Sequence, residues 1–481
     1  MKDSCLAGTG MIYYREMRKL NMNEVMLMKV IKFGGSSVAS AEQIKKIKDI
    51  IVSDADRRIV VVSAPGKRFP EDTKVTDLLI DLASQVLNGN KGVSHVFNQI
   101  VNRYKEIATD LAIDEDIVSE ISHSLQELIE GDTTEESYFM DALKASGEDN
   151  SAKLIAAYLR SEGIPARYIS PKEAGLYLSD EPGNAQILPE SYQNLFALRD
   201  YDEIIIFPGF FGFTKTGKLV TFSRGGSDVT GAILANGVKA TLYENFTDVD
   251  CIYSASPSII EKPVPIEDLT YTEMRELSYS GFSVVHDEAL YPAFAEGIPV
   301  VVKNTNNPTA PGTKITRTRS ESEYPLAGVA SKSGFASIYI SKYMMNREVG
   351  FINRVLDVLE DYNISLEHIV SGIDDIDIVF KEEMITAKQF QDLLVEIKVK
   401  TAADVVEKRD NLCLVMLVGQ NMRHKIGLMA RATKALGEAQ VNIDMINQGS
   451  SENSIMFGIN ENEEERAVAA IYKEFFESDN K

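Results

Sequence analysis

Five short stretches hold side chains whose types and spacing suit the handling of small anions. In "VIKFGGSSV", Lys32 lies inside an apolar run and Gly34-Gly35-Ser36-Ser37 follows. Glycines let backbone N–H groups come close to a phosphate, and the start of the next helix adds partial positive charge. A lysine at the strand end would place a cation on the same oxygens. Taken alone, the stretch reads more readily as a tight turn with a snorkelling lysine; the other stretches change that balance. In "VVVSAPGKRFPEDTKVTDLLIDLA", Ser63 ends an apolar strand and Thr76-Asp77 opens a helix. Their hydroxyls can meet a small polar substrate or simply cap. "SAPGKR" does not have the spacing of a Walker loop.

The third stretch is "ALKASGEDNSAKLIAAYL". Gly147 and Glu148 are read as preceding a helix with an apolar face of Leu154, Ile155, Tyr158 and Leu159, so Glu148 also fits as an N-terminal helix charge. In the fourth, Arg224 stands before Gly225-Gly226-Ser227, with Asp228 at a helix start; an arginine beside such a turn suits a bidentate carboxylate contact. The fifth places Thr247, Asp248 and Tyr253 after the strand "ATLYENF".

The elements that must position these groups are legible as a pattern. From Met28 to about Asn307, apolar runs ("VIKF", "RIVVVSA", "DEIIIFPGFFG", "ATLYENF", "IPVVVKN") alternate with amphipathic helices. Strands so continuously apolar are covered on both faces, which predicts a mainly parallel sheet in an α/β sandwich. Residues Asn88 to Leu143 carry helical periods and few strand signals, a helical insertion. "NPTAPGTKITRTRSESEYP" reads as a link between domains. Beyond it "VGFINRVLDVLEDYNISLEHIVSG" (Val349 to Gly372) aligns without a gap on "IGLMARATKALGEAQVNIDMINQG" (Ile426 to Gly449). Each copy has the order expected of a βαββαβ, ferredoxin-like unit. The expected domains are an extension over 1–27, a catalytic domain over 28–307, a linker with a first strand over 308–330, and two small domains over 331–400 and 401–481.

Composition narrows the function. The 481 residues are 44% hydrophobic and 25% charged, ordinary for a soluble globular chain of two or three domains. A net charge of −22 argues against nucleic-acid or anionic-membrane partners, so an anionic substrate needs a local island of positive charge. Cys5, Cys251 and Cys413 are too scattered for a disulfide framework or a zinc site, which fits a reducing cytoplasm. The five histidines show no metal-ligand spacing, and His286 reads as structural. No apolar run has membrane-spanning length, and the first 27 residues lack the apolar core of a signal peptide.

The series K-F-G-G-S-S-V, V-V-S-A-P-G-K with T-D-L-L, S-G-E, S-R-G-G-S-D and T-D-V-x-x-I-Y, followed by the tandem repeat, resembles aspartate kinase from Met28 to the C-terminus. The resemblance implies an amino-acid-kinase αβα sandwich followed by two ACT domains. It also implies phosphorylation of the β-carboxylate of L-aspartate by ATP and Mg²⁺, the committing step towards lysine, threonine and methionine. In this pattern Lys32 meets the transferred phosphoryl group, Gly34, Gly35 and Ser36 cover the ATP phosphates, and Asp228 orients Lys32. Arg224 clamps the substrate α-carboxylate and Glu148 its ammonium. Ser63 and Thr76 help place the substrate, while Thr247, Asp248 and Tyr253 line the nucleotide pocket. Two cations common near the nucleotide are replaced here by Ser258 and Ser283, with Asp287 in place of a proline. Fusion to homoserine dehydrogenase is not expected, because no G-x-G-x-x-G unit follows the repeat.

Lysine-sensitive relatives carry their effector in the first ACT domain, at an interface between chains. The matching places are Met345, Glu348, Gly350, Phe351, Ile352, Ser365, Leu366 and Glu367. Backbone groups beside Gly350 would receive the effector carboxylate, Glu367 and Glu348 its ammonium groups, and Met345 and Phe351 its methylenes. L-lysine is the expected inhibitor, threonine the alternative, and a homodimer or dimer of dimers through the ACT domains the expected assembly.

Overall fold

The structure is a computed structural model that describes residues 27–477 apart from 91, 224, 283, 287, 321 and 449–452. Apart from Leu27, the N-terminal extension lies outside the described residues. The chain divides into two compact units. The first takes the chain up to Ile252 with Ile266–Tyr271 and Val284–Arg319; the second takes Tyr253–Pro265, Thr272–Ser283 and the chain from Ser320 on.

The first unit is built on an eight-stranded sheet. Its core strands Leu242–Thr247, Lys29–Phe33, Arg57–Val62, Ile204–Pro208 and Ala166–Tyr168 lie side by side in that order and are parallel. Val300–Asn304 extends them in parallel, and Thr313–Thr316 then pairs antiparallel. Arg57–Val62 is buried at every position, as a central strand covered on both faces must be. Alternate residues of these strands, Ile31 and Phe33, Val60 and Val62, Ile204 and Ile206, face one apolar core. That core is shared with the helices Ala41–Val52, Val75–Leu87, Val93–Asp110, Asp116–Ile129 and Glu136–Ser161. Residues of the other parity include Lys32, which reaches the helix Gly226–Gly237. The mainly parallel sandwich and the helical insertion are therefore present as expected.

One local expectation is corrected. Gly147 and Glu148 do not precede a helix; they lie within the single helix Glu136–Ser161. Glycine is tolerated there because an added Cβ would stand 2.8 Å from the Ala64 Cβ and 3.0 Å from Leu79. Close approach to the chain after the strand Arg57–Val62 excludes any larger residue.

The second unit contains a six-stranded antiparallel sheet in the order Leu366–Ser371, Asp375–Lys381, Gly328–Ser341, Val405–Val418, Ser454–Asn460, Met445–Asn447. The long strands, the helices and the glycines before them repeat at an offset of 77 residues, whereas Asp375–Lys381 and Ser454–Asn460 are 79 apart. The helices are Phe351–Asp361 and Leu428–Glu438, with Gly350 (φ 77°) and Gly427 (φ 82°) before them. The copies are nevertheless not consecutive beads. Phe335–Ser341 completes the first copy's half-sheet, whereas Gly328–Lys332 pairs with Leu414–Val418 as the outer strand of the second. The strand Val405–Val418 serves both, so the copies share two long strands.

Candidate active site

Four of the parallel strands end at one place. At the carboxyl ends of Lys29–Phe33, Arg57–Val62, Ile204–Pro208 and Leu242–Thr247, the chain turns through Gly34–Ser36, Ser63–Gly66, Gly209–Phe210 and Asp248. The crevice outside the carboxyl ends of the strands is where open α/β sheets bind ligands. Here it is a cleft of roughly 550 Å³. Lys32, Gly35, Ser36, Ser63, Thr76, Glu148, Asp228 and Asp248 all line it, so the structure brings together most of the motif residues, though they are scattered over more than 200 positions.

The turns are welded by backbone contacts. Ser63 N donates to Phe33 O (3.2 Å), Gly66 N to Gly35 O (2.8 Å) and Gly209 N to Val62 O (3.0 Å). A Cβ on Gly66 would lie 2.6 Å from the Gly35 carbonyl carbon, so only glycine fits where the first two turns touch. Gly225 (φ 77°) opens the helix Gly226–Gly237, with His286 backing the turn: a Gly225 Cβ would stand 2.7 Å from the His286 Cβ. His286 therefore has the packing role expected of it.

Lys32 is 8% exposed, and its Nζ lies 2.5 Å from Asp228 Oδ1. The same oxygen accepts from Asn245 Nδ2 at 2.9 Å. Asn245 is the register partner of Lys32 on the neighbouring strand and is 2% exposed. Asp228 thus fixes the ammonium, and Asn245 fixes Asp228. Glu148 is 5% exposed, and its Oε2 has no hydrogen-bond partner. Burial pushes its carboxyl up to about 8; backbone hydrogen bonds and the Lys32 charge pull the other way without offsetting it. The cleft therefore holds a fixed cation beside a neutral, unsatisfied carboxyl. That carboxyl can ionise when a cation arrives.

Other assignments fare differently. Arg224, Ser283 and Asp287 lie outside the described residues. Thr247 Oγ1 donates to Asp248 Oδ1 at 3.2 Å and so supports the lining rather than forming it. Tyr253 belongs to the second unit. There Met345 and Phe351 are buried, Leu366 and Ile352 exposed. Both proposed effector acids are already engaged: Glu348 by Lys342 (2.5 Å) and Arg354, Glu367 by Lys381 (3.2 Å) and the Tyr279 hydroxyl. Sequence reasoning missed Asn245, Lys67 and Lys74. The signal for Asn245 was a polar pair, Glu244-Asn245, inside a central strand; its partner Glu244 forms a buried bidentate pair with Arg57 (2.7 and 3.0 Å).

Comparison with known proteins agrees with this geometry. The amino acid kinase family model matches residues 28–304, and an ACT domain model matches 415–475. Aspartokinase 3 of Bacillus subtilis is 56% identical over 449 residues, 93% of this chain and 99% of that protein. The crystal structure of Clostridium acetobutylicum aspartate kinase superposes with a TM-score of 0.82 at 38% identity, covering 93% of this chain and 100% of that one. Escherichia coli aspartokinase III matches at 25% identity over 93% of this chain and 99% of its own. Its TM-score is 0.77 for the complex with aspartate and ADP and 0.73 for the complex with lysine and aspartate. On the identity, the coverage and the cleft together, the chain belongs to the aspartokinase family of amino acid kinases.

Proposed function

We propose that the cleft holds aspartate between Ser63, Thr76 and Glu148 and lays the phosphates of ATP along Gly34, Gly35 and Ser36, so that the two meet at Lys32. The chain is an ATP-dependent aspartate kinase, and the reaction makes 4-phospho-L-aspartate. The β-carboxylate is already a competent nucleophile at neutral pH, so no general base is required. The protein must instead hold two anions together and disperse charge on the phosphoryl oxygens. The observation that carries this reading is the Lys32–Asp228–Asn245 chain, which fixes a cation at the strand ends before any ligand binds. Asp228 orients Lys32 and takes no proton. Glu148 gives up its proton as the substrate ammonium enters.

Among the described residues no group of three or more His, Cys, Asp or Glu forms a metal cage. Mg²⁺ that travels with a nucleotide needs only one or two carboxylates beside the phosphate oxygens. Asp228 and Asp248, both in the lining, fit that demand. When bound, the ion neutralises charge on the phosphates.

For regulation, the reading is L-lysine at the first repeat; E. coli aspartokinase III has been solved in complex with lysine. A lysine ligand would displace Lys381 and Tyr279 from Glu367, or Lys342 and Arg354 from Glu348. That exchange gives it different affinities for two arrangements of the unit, without which no effector shifts an equilibrium. The same pairs favour threonine as the second reading, because a neutral side chain needs neither carboxylate. Val349 and Ile426, at equivalent positions of the repeat, are 96% and 103% exposed, which supports pairing of these units between two copies of the chain. No described helix is long and apolar enough to cross a membrane. The test is steady-state ADP release with aspartate, alone and with millimolar lysine or threonine. Absence of aspartate-dependent turnover would remove the catalytic reading, and inhibition by threonine alone would transfer the effector site to threonine.

A further inference from the structure

Among the described residues, the nucleotide side of the cleft has little unpaired positive charge for the reaction it performs. Lys32 is neutralised by Asp228, Asp248 adds a further acid, and the sequence has Ser258 and Ser283 where relatives carry cations. Two other lysines line the same cleft. Lys67 and Lys74 stand just inside one end and just beyond the other of the loop Gly66–Thr73. Among the described residues, Lys74 has no ion-pair partner and the Lys67 ammonium donates to the Pro70 carbonyl, at 3.0 Å, with no acid paired to it. Both charges are therefore available to a ligand.

What holds them there is one buried side chain. Arg103, 5% exposed on the helix Val93–Asp110, donates to Gly66 O at 3.1 Å and to Thr73 O at 3.3 Å, closing the loop at both ends. Between those contacts it grips both oxygens of Asp72 at 2.7 Å. Arg68 takes the same carboxylate from its side chain (2.9 and 3.2 Å) and its backbone N–H (3.0 Å). Val75 N donates to Pro65 O at 3.0 Å, tying the helix Val75–Leu87 to the turn that touches Gly35. A loop that merely crossed the surface would not need a buried guanidinium spanning its two ends. This one is fixed with its lysines at the mouth of a cleft that must receive a polyphosphate.

We propose that Lys67 and Lys74, positioned by the Arg103–Asp72 clasp, contact the terminal phosphates of the nucleotide and supply the charge that the serines at 258 and 283 do not. The proposal rests on the reading of the cleft given above. Lys67 and Lys74 would touch the substrate; Asp72 and Arg103 act through them as positioning residues. The test compares K67A, K74A, the double variant, K74R and D72N in the full chain, with Lys32→Ala in parallel. Read-outs are kcat, KM for ATP and for aspartate, calorimetric binding of MgADP and MgATP, and thermal melting. In the double variant, the KM and Kd for ATP should rise by about tenfold or more while the aspartate KM moves by less than about threefold. The dependence of ATP binding on salt should weaken in the double variant. K74R should recover most of the loss seen in K74A, which a packing role would not predict. D72N should weaken ATP in the same direction with both lysines intact. ATP binding within about twofold of wild type in a folded double variant, or a loss confined to aspartate, would overturn the proposal. If Lys32→Ala lowers turnover while the loop variants do not, only the loop assignment fails. If neither does, the reading of the cleft fails with it.

Discussion

Glu148 offers the sharpest quantitative test, because one buried group ties substrate affinity to pH. Its carboxyl is pushed up to about 8 by burial, against an ordinary value of 4.5. If the carboxylate pairs with the substrate ammonium, only the ionised enzyme binds aspartate well. Below pH 8 the ionised fraction falls about tenfold per pH unit, so the KM for aspartate should drop some ten- to twentyfold between pH 6.5 and 8 and then level off. Glu148→Gln cannot ionise. It should hold a high aspartate KM that is flat with pH, while the KM for ATP stays close to wild type. Stability should move the opposite way. A carboxyl whose folded value lies above its unfolded value favours the fold below about pH 4.5 relative to higher pH, and that advantage is lost as pH rises towards 8. Ligand-free wild type should therefore lose stability against Glu148→Gln across that window, by an amount on the order of a few kcal/mol at pH 8. Initial rates at saturating ATP and thermal melts from pH 5 to 8.5 supply both curves. An aspartate KM with the same pH dependence in wild type and Glu148→Gln would refute the pairing.

Four further outcomes are expected. Lys32→Ala should cut kcat by on the order of 10²-fold or more in a variant that still folds, since it removes a prepositioned charge from the phosphoryl group; near-normal turnover takes Lys32 out of the mechanism. Gly66→Ala forces a Cβ against the Gly35 carbonyl at 2.6–2.8 Å, backbone against backbone, and should cost about 1–3 kcal/mol along with ATP affinity, checked by denaturation and nucleotide titration. Glu244→Ala leaves the buried Arg57 guanidinium without its counter-charge, held only by the Ile50 carbonyl and the Ser53 hydroxyl, and should destabilise the first unit by about 3–5 kcal/mol in urea; a smaller loss would show that those neighbours or water suffice. Glu367→Ala should relieve inhibition by lysine while leaving uninhibited kcat near wild type, and Tyr279→Phe should shift the inhibitor concentration at half effect, as read from inhibition curves.

The catalytic unit was readable because its chemistry sits at strand ends, where local sequence is most constrained. Lys32-x-Gly-Gly, Ser63 and Asp248 lie at the ends of apolar runs, and a parallel sheet brings the carboxyl ends of such runs together whatever their order in the chain; Asp228 joins them from the start of the helix Gly226–Gly237. Glu148 was legible as a residue but not in its setting. Gly147 looks like a helix boundary in one dimension, and only the 2.8 Å approach to Ala64 shows why a glycine stands inside a 26-residue helix. Asn245 and the Arg103–Asp72 clasp were out of reach for a different reason. Each works through a partner, Asp228 or a loop end, whose nearness is set by strand pairing and helix packing rather than by spacing in the sequence.

The regulatory half shows the same limit on a larger scale. Gapless alignment gave both helices and the glycines before them, because those features are local and repeat at one offset. It could not show that Gly328–Lys332, ahead of the first copy, serves the second, since a fourth strand's position is a property of the assembled sheet. The interleaving has a mechanical consequence. With Gly328–Ser341 and Val405–Val418 both running through the two half-sheets, neither copy can tilt without dragging strands of the other. An effector that rearranges Glu367 and Tyr279 in the first copy therefore acts on a continuous six-stranded body. Tyr279, the last residue of the helix Tyr271–Tyr279, belongs to the same unit as Glu367. A ligand that competes with Tyr279 for Glu367 would therefore perturb both copies at once through their two shared strands.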